Sequence, residues 1–182
     1  MVEAKSLGPL HAATRDLHHA VEQTALGRAM ADGSISEQGW ADWLLALFII
    51  HSFIDKKAPP VLRRTTQVRR DIEFMQERGV WSTVTSAPWK FTQSLQDDDD
   101  FAGAIYVLAG AHVMGGALIR KRIGDRLPSE HLFFDEDMRR GAVAEVRTFR
   151  DRAELANAAR NCFQALLDTA REIENNYVEN HT

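Results

Sequence analysis

Cysteine is nearly absent from this 182-residue chain: Cys162 stands alone. One thiol excludes a disulfide framework and any multi-cysteine zinc or iron–sulfur centre. The N-terminal stretch MVEAKSLGPL lacks an apolar signal segment, and with the lone thiol this predicts a reducing, cytoplasmic setting. Long hydrophobic runs are missing too. The longest, Trp43 to Ile50, is far short of the ~20 residues a membrane span needs, so no membrane association is expected. Charge of one sign is scarce: 22 Lys and Arg against 26 Asp and Glu leave a formal −4, too little imbalance for a nucleic-acid binder working by bulk charge. No internal repeat, low-complexity tract or linker is visible. Five prolines and 11 glycines are few. What is present is 45% hydrophobic and 26% charged, which fits a buried core and excludes a disordered chain. The expected fold is all-α, one compact helical bundle spanning residues 1–182.

Apolar spacing at three and four residues predicts the helices. The first covers 9–29, with Pro9 at its opening turn. The second covers 34–57, opened by a Ser34–Glu37 capping box and stopped by Pro59-Pro60. The third covers 61–77 and ends at Gly79. Residues 80–100 read as a loop with a short helix, closing on an acidic turn at Asp97 to Asp100. A glycine-rich helix covers 101–126, and two more cover 135–152 and 153–179.

Two constellations carry chemistry. At 100° per residue, Leu10, Leu17 and Val21 share one face of the first helix, and Ala25 extends it. His18 falls about 80° from Leu10, at the edge of that face, while His19 falls at about 180°. Glu22 lies one turn beyond His18. Such a carboxylate can fix one ring nitrogen and leave the other for a metal; it can equally satisfy a plain boundary histidine. On the fourth helix Tyr106, Gly110, Val113 and Ala117 share one smooth face. Gly103, Gly110, Gly115 and Gly116 lie inside a helical pattern, each costing ~1 kcal/mol against Ala. Either a flat ligand or close helix packing explains them, and Gly115-Gly116 also marks a kink.

Together these segments resemble the heme oxygenase family. Leu10 to Glu22 (LHAATRDLHHAVE) is similar to its proximal helix, with Thr14, His18 and Glu22 at four-residue spacing. Gly103 to Ile119 (GAIYVLAGAHVMGGALI) is similar to its distal helix, most of all in the bacterial, phytochrome-associated branch. Ala158 to Phe163 (AARNCF) more weakly resembles the last core helix.

The resemblance implies heme b as both cofactor and substrate, opened with oxygen and external electrons to biliverdin, iron and carbon monoxide. His18 would be the axial iron ligand and Glu22 its orienting partner. Gly110, Gly115 and Gly116, with Val113 and Met114, would lie against the other heme face, Tyr106 near the edge and Phe163 in the wall. Arg15, Arg147 and Arg150 are candidates for the propionates, or solvated surface charges. An electron-donor protein or reductant is implied, since the chain has no dinucleotide fingerprint. A bacteriophytochrome, whose chromophore such an enzyme makes, is a candidate receiver of the product.

The chain departs from the family in two places. Tyr106 to Gly115 is one residue longer than in the bacterial branch. That leaves the register of Gly110 and Ala111 open, with a π-bulge as one resolution. His112 stands where mammalian-type members carry an acid. It falls at about 240° from Tyr106 and is expected at the surface unless a bulge turns it inward. Two rival readings remain: a non-catalytic heme-handling protein, and a helical bundle for partner binding. The fold's thiaminases and quinone-cofactor oxidase use Cys or acid clusters with no counterpart here. A di-iron bundle lacks its paired Glu-x-x-His motifs.

Overall fold

The most apolar helix lies at the centre. The computed structural model describes residues 8–179, all helices, turns and loops, with no strand among them. α1 (Pro9–Glu22) and α2 (Ala25–Asp32) lead to α3 (Glu37–Ile54), buried almost all round through Trp40, Leu44, Leu47, Ile50 and Ile54. α4 (Thr65–Glu77) and α5 (Ala87–Ser94) pack against α3. α6 (Asp98–Gly110), a π turn (Ala111–Gly115) and α7 (Gly116–Ile123) form one continuous rod. α8 (Glu136–Arg150) and α9 (Ala156–Glu179) close the bundle. α9 is the common scaffold, with α1, α5 and α6 all packed along it. The core runs through Trp40 and Ile50 of α3, Ala104 and Leu108 of α6, and Cys162 and Ile173 of α9. Residues 1–7 and 180–182 of the expected domain lie outside the described part.

Several helix boundaries differ from the spacing-based expectation. The first predicted helix is two. The Thr24 hydroxyl donates to Val21 O (2.7 Å) and accepts from Gly27 N (2.9 Å), so it ends α1 and caps α2 in one motif. Ala25 therefore leaves the face it was expected to extend and is exposed. The second helix is capped by Ser36, whose Oγ accepts from Gly39 N, and not by Ser34, whose N–H is held by Asp32. α4 starts at Thr65, after a 3-10 turn at Pro60–Leu62. Its cap comes from α3: Asp55 Oδ2 accepts from Arg64 N, Thr65 N and Thr65 Oγ1 at 2.6–2.7 Å. The acidic run belongs to α6, where Asp97 and Asp100 form a reciprocal capping box. The glycine-rich helix is interrupted by a π turn at Ala111–Gly115, immediately before Gly116.

The rod 98–126 is long and apolar enough to cross a membrane by length and composition, and 56% of its apolar window is buried in the bundle. The sequence reading missed it by counting only uninterrupted apolar residues. Its burial is that of a core helix.

Candidate functional site

α1 packs along α9 on one side and is exposed on the other. At its start Leu10 packs with Ala102 of α6 and Leu155, and Tyr106 and Phe149 border that cluster. The following α2 leans on α7, and Arg126, in the turn just after α7, donates to Gly33 O and Ile35 O. Arg160 of α9 clamps the middle, reaching Ala13 O at 2.6 Å and both Asp16 oxygens at 2.7 and 2.9 Å. That guanidinium holds the Asp16 carboxyl at about 2. Neither α6 nor the π turn is among the principal neighbours of α1. Only Leu10 and Thr14 of α1 are fully buried, while Leu17 and Val21 are half-buried. The apolar stripe of α1 is thus only partly covered by the core.

His18 lies at this boundary. Its side chain is 46% exposed and its ring meets the edge of Phe163 at 5.4 Å and 63°. Glu22 Oε1 is 3.6 Å from His18 Nε2, just beyond hydrogen-bond reach. Its other oxygen is 3.9 Å from His19 Nδ1. The polar flank of α1 borders an open depression of about 640 Å³, lined by His11, Arg15, His18, His19, Glu22 and Arg160 among others. A second depression, about 580 Å³ between α5 and α9, lies away from His18. Its Gln164 and Asp168 pair with each other, and its Glu172 caps α5 through Ser86 N and Ala87 N.

The four helical glycines divide into two pairs. A Cβ on Gly103 would fall 2.5 Å from Ala158 Cβ, and one on Gly116 would fall 3.1 Å from Leu132 Cδ2. Those two serve close packing, against α9 and the turn at Leu132. Around Gly110 and Gly115 nothing lies within 4 Å of a Cβ. The side chains around Gly115 divide likewise: Val113 is 2% exposed inside the core, Met114 is 69% exposed, and Leu118 is also exposed.

Tyr106 is half-buried, and burial raises its hydroxyl pKa, opposed by Arg150. Arg150 is paired with Asp151 at 3.0 and 3.1 Å, whereas Arg15 and Arg147 are exposed and unpaired among the described residues. Cys162 is buried and its thiol is pushed up by desolvation, so it packs and does not react.

His112 corrects the expectation of a surface position. The π turn rotates it into the core, where it is 5% exposed, stacked on His51 and edge-on to His131. His51 and Asp55, four apart on a helix, were legible as a pair; His131 and Asp71, sixty residues apart, were not.

No family model matches the sequence, and no curated protein does. Solved structures match in fold. A heme oxygenase from Leptospira interrogans superposes with a TM-score of 0.75 at 16% identity, covering 88% of this chain and 96% of that one. Heme oxygenase-1 from the cyanobacterium Synechocystis sp. PCC6803, in complex with heme, gives 0.69 at 15% identity, covering 93% and 92%. Heme oxygenase-2 from Synechocystis, in complex with heme and NO, gives 0.73 at 14% identity, covering 91% and 84%. The chain has the heme oxygenase fold.

Proposed function

We propose that heme b binds between α1 and the π-turn rod and that the protein is a heme oxygenase, releasing biliverdin, iron and carbon monoxide. One observation carries the reading. His18, set against Phe163, stands on α1, and on the rod Gly110 and Gly115 leave open space where side chains would be.

The residues fit a flat, dianionic, iron-bearing ligand. Leu17, Val21 and Phe163 offer apolar wall, and Met114 and Leu118 stand exposed on the rod. Arg15 and Arg147 are unpaired cations for two propionates. Arg150 is already held by Asp151. When bound, heme supplies the iron that activates oxygen beside the ring carbon to be attacked. His18 would hold that iron through one ring nitrogen. Glu22 would close a few tenths of an ångström to orient the ring. Bare backbone at Gly110 and Gly115 would let the rod lie close against the ring. Electrons come from an outside protein or reductant. A bacteriophytochrome is the candidate receiver of the product, and the setting is cytoplasmic.

A heme carrier without turnover is the second reading. It is favoured by the one polar side chain of the π turn, His112, facing the core, so the turn offers no side-chain hydrogen bond to oxygen. Both readings require heme. Hemin titration followed by visible and Raman spectra tests them together. Wild type and His19→Ala should bind with an axial imidazole, and His18→Ala should lose that signature. Loss in His19→Ala and retention in His18→Ala would overturn the assignment.

A further inference from the structure

Three imidazoles lie buried behind the π turn. His112 is the middle one, 5.2 Å from the ring of His51 at 25° and 5.4 Å from that of His131 at 77°. The outer two are each tied through Nδ1 to a carboxylate: His51 to Asp55 at 3.0 Å, His131 to Asp71 at 2.6 Å. Those carboxylates are already engaged elsewhere. Asp55 also holds the start of α4, and Asp71 holds Glu130 N and His131 N.

His112 has no acid of its own. Its Nδ1 is buried without a partner, as are His51 Nε2 and Nε of Arg64. Arg64 is itself buried, with its guanidinium 3.6 Å over the Phe134 ring. The charged and titratable groups around His112 are His51 and Asp55 from α3, Arg64 from the segment before α4, Asp71 from α4, and His131 from the turn after α7. No titratable side chain of α6, α7 or α8 joins them among the described residues. With neutral rings, two carboxylates against one guanidinium leave the cluster one net negative charge. Protonating all three rings would reverse it.

We propose that His51, His112 and His131 form an acid-sensitive latch that holds the π turn, and with it one wall of the proposed heme site, only while His112 is uncharged. His112 is the second residue of the turn, with Val113 in the core beside it and Met114 and Gly115 on the outer side. A π turn is an unfavourable insertion in a helix and persists where neighbours hold it. Burial pushes His112 well below the ordinary histidine range, and His51, His131 and Arg64 push it the same way. Burial also lowers His131, against the pull of Asp71. Groups with depressed values bind protons more readily once the turn opens. The latch is therefore full above pH ~6.5 and weakens as pH falls below it.

Amide hydrogen exchange on the ligand-free chain tests this independently of any heme chemistry. Rates at pH 7.5 and 5.5 are corrected for the intrinsic pH dependence of exchange. Opening that frees one ring of ordinary pKa 6.5 becomes about tenfold easier at pH 5.5 than at 7.5, and opening that frees two becomes ~100-fold easier. Peptides covering 108–118 should lose protection by about that factor, while those in the middle of α9 change little. His112→Phe keeps a ring and removes one proton site, and should cut the local pH dependence by about tenfold, leaving only what His131 contributes. If that variant does not fold, ring-proton NMR of the wild-type chain decides. His112 titrating well below the exposed His18 and His19 supports the latch; His112 titrating with them overturns it. So does protection lost equally along the chain, or a pH dependence undiminished in His112→Phe.

Discussion

Adding a Cβ to each glycine of the rod separates packing from ligand space. In Gly103→Ala the new atom would sit 2.5 Å from Ala158 Cβ, 2.7 Å from Ala159 N and 2.8 Å from Ala158 C. The last two are backbone, so α9 itself must move. Overpacking of this kind costs ~1–3 kcal/mol, and the gain in helix propensity returns up to ~1 kcal/mol. At ~2–4 °C per kcal/mol for a chain of this size, Tm should fall by up to ~8 °C. In Gly110→Ala the atom meets nothing, and the backbone is ordinary right-handed helix, φ −57 and ψ −49. That variant gains propensity without a clash, so Tm should hold or rise by ~2–4 °C. Hemin should respond in the opposite order. Gly110→Leu and Gly115→Leu fill the space on the rod and should weaken hemin binding at least ~10-fold, equivalent to ~1.4 kcal/mol, with melting curves close to wild type. Thermal unfolding by circular dichroism and hemin titration on the same samples read both effects. If Gly103→Ala melts like wild type, the close approach to α9 is wrong. If both leucine variants bind hemin normally, the open side of the rod is not the ligand face.

Glu22→Ala should leave the melting temperature unchanged and shift the iron–histidine stretching frequency, with a loss of roughly 10–100-fold in iron affinity or activity; an unchanged frequency makes Glu22 a surface acid. Asp71→Ala strips partners from Glu130 N, His131 N and His131 Nδ1. Each buried donor left unmatched costs ~1–3 kcal/mol, so urea denaturation should show a clear drop in midpoint. Arg15→Ala and Arg147→Ala should each weaken hemin binding while leaving binding of a propionate-esterified hemin unaffected; equal losses for both ligands would remove the arginines from the propionate role.

The sequence showed the helical class and the His18 face because both rest on local spacing. Leu10, Leu17 and Val21 recur at three and four residues whatever packs against them. Helix ends were less legible. Thr24 breaks what periodicity reads as one helix, and the cap of α4 comes from Asp55, ten residues upstream. The smooth face of the rod was visible as residue types, but which glycines pack and which face space depends on the π turn. That turn rephases Val113 into the core and His112 with it. The histidine cluster was least legible, because its members come from α3, the π turn and the turn at 130–132 and meet only in the fold.

The most direct measurement of the central claim is single-turnover absorbance. The hemin complex is reduced under anaerobic conditions, oxygen is admitted, and the spectrum is followed with carbon monoxide captured in parallel. The enzyme reading predicts loss of the Soret band, growth of a bilin band and one carbon monoxide per heme. A Soret band that persists or returns to its ferric position, with no bilin and no carbon monoxide, would contradict it and leave a heme carrier.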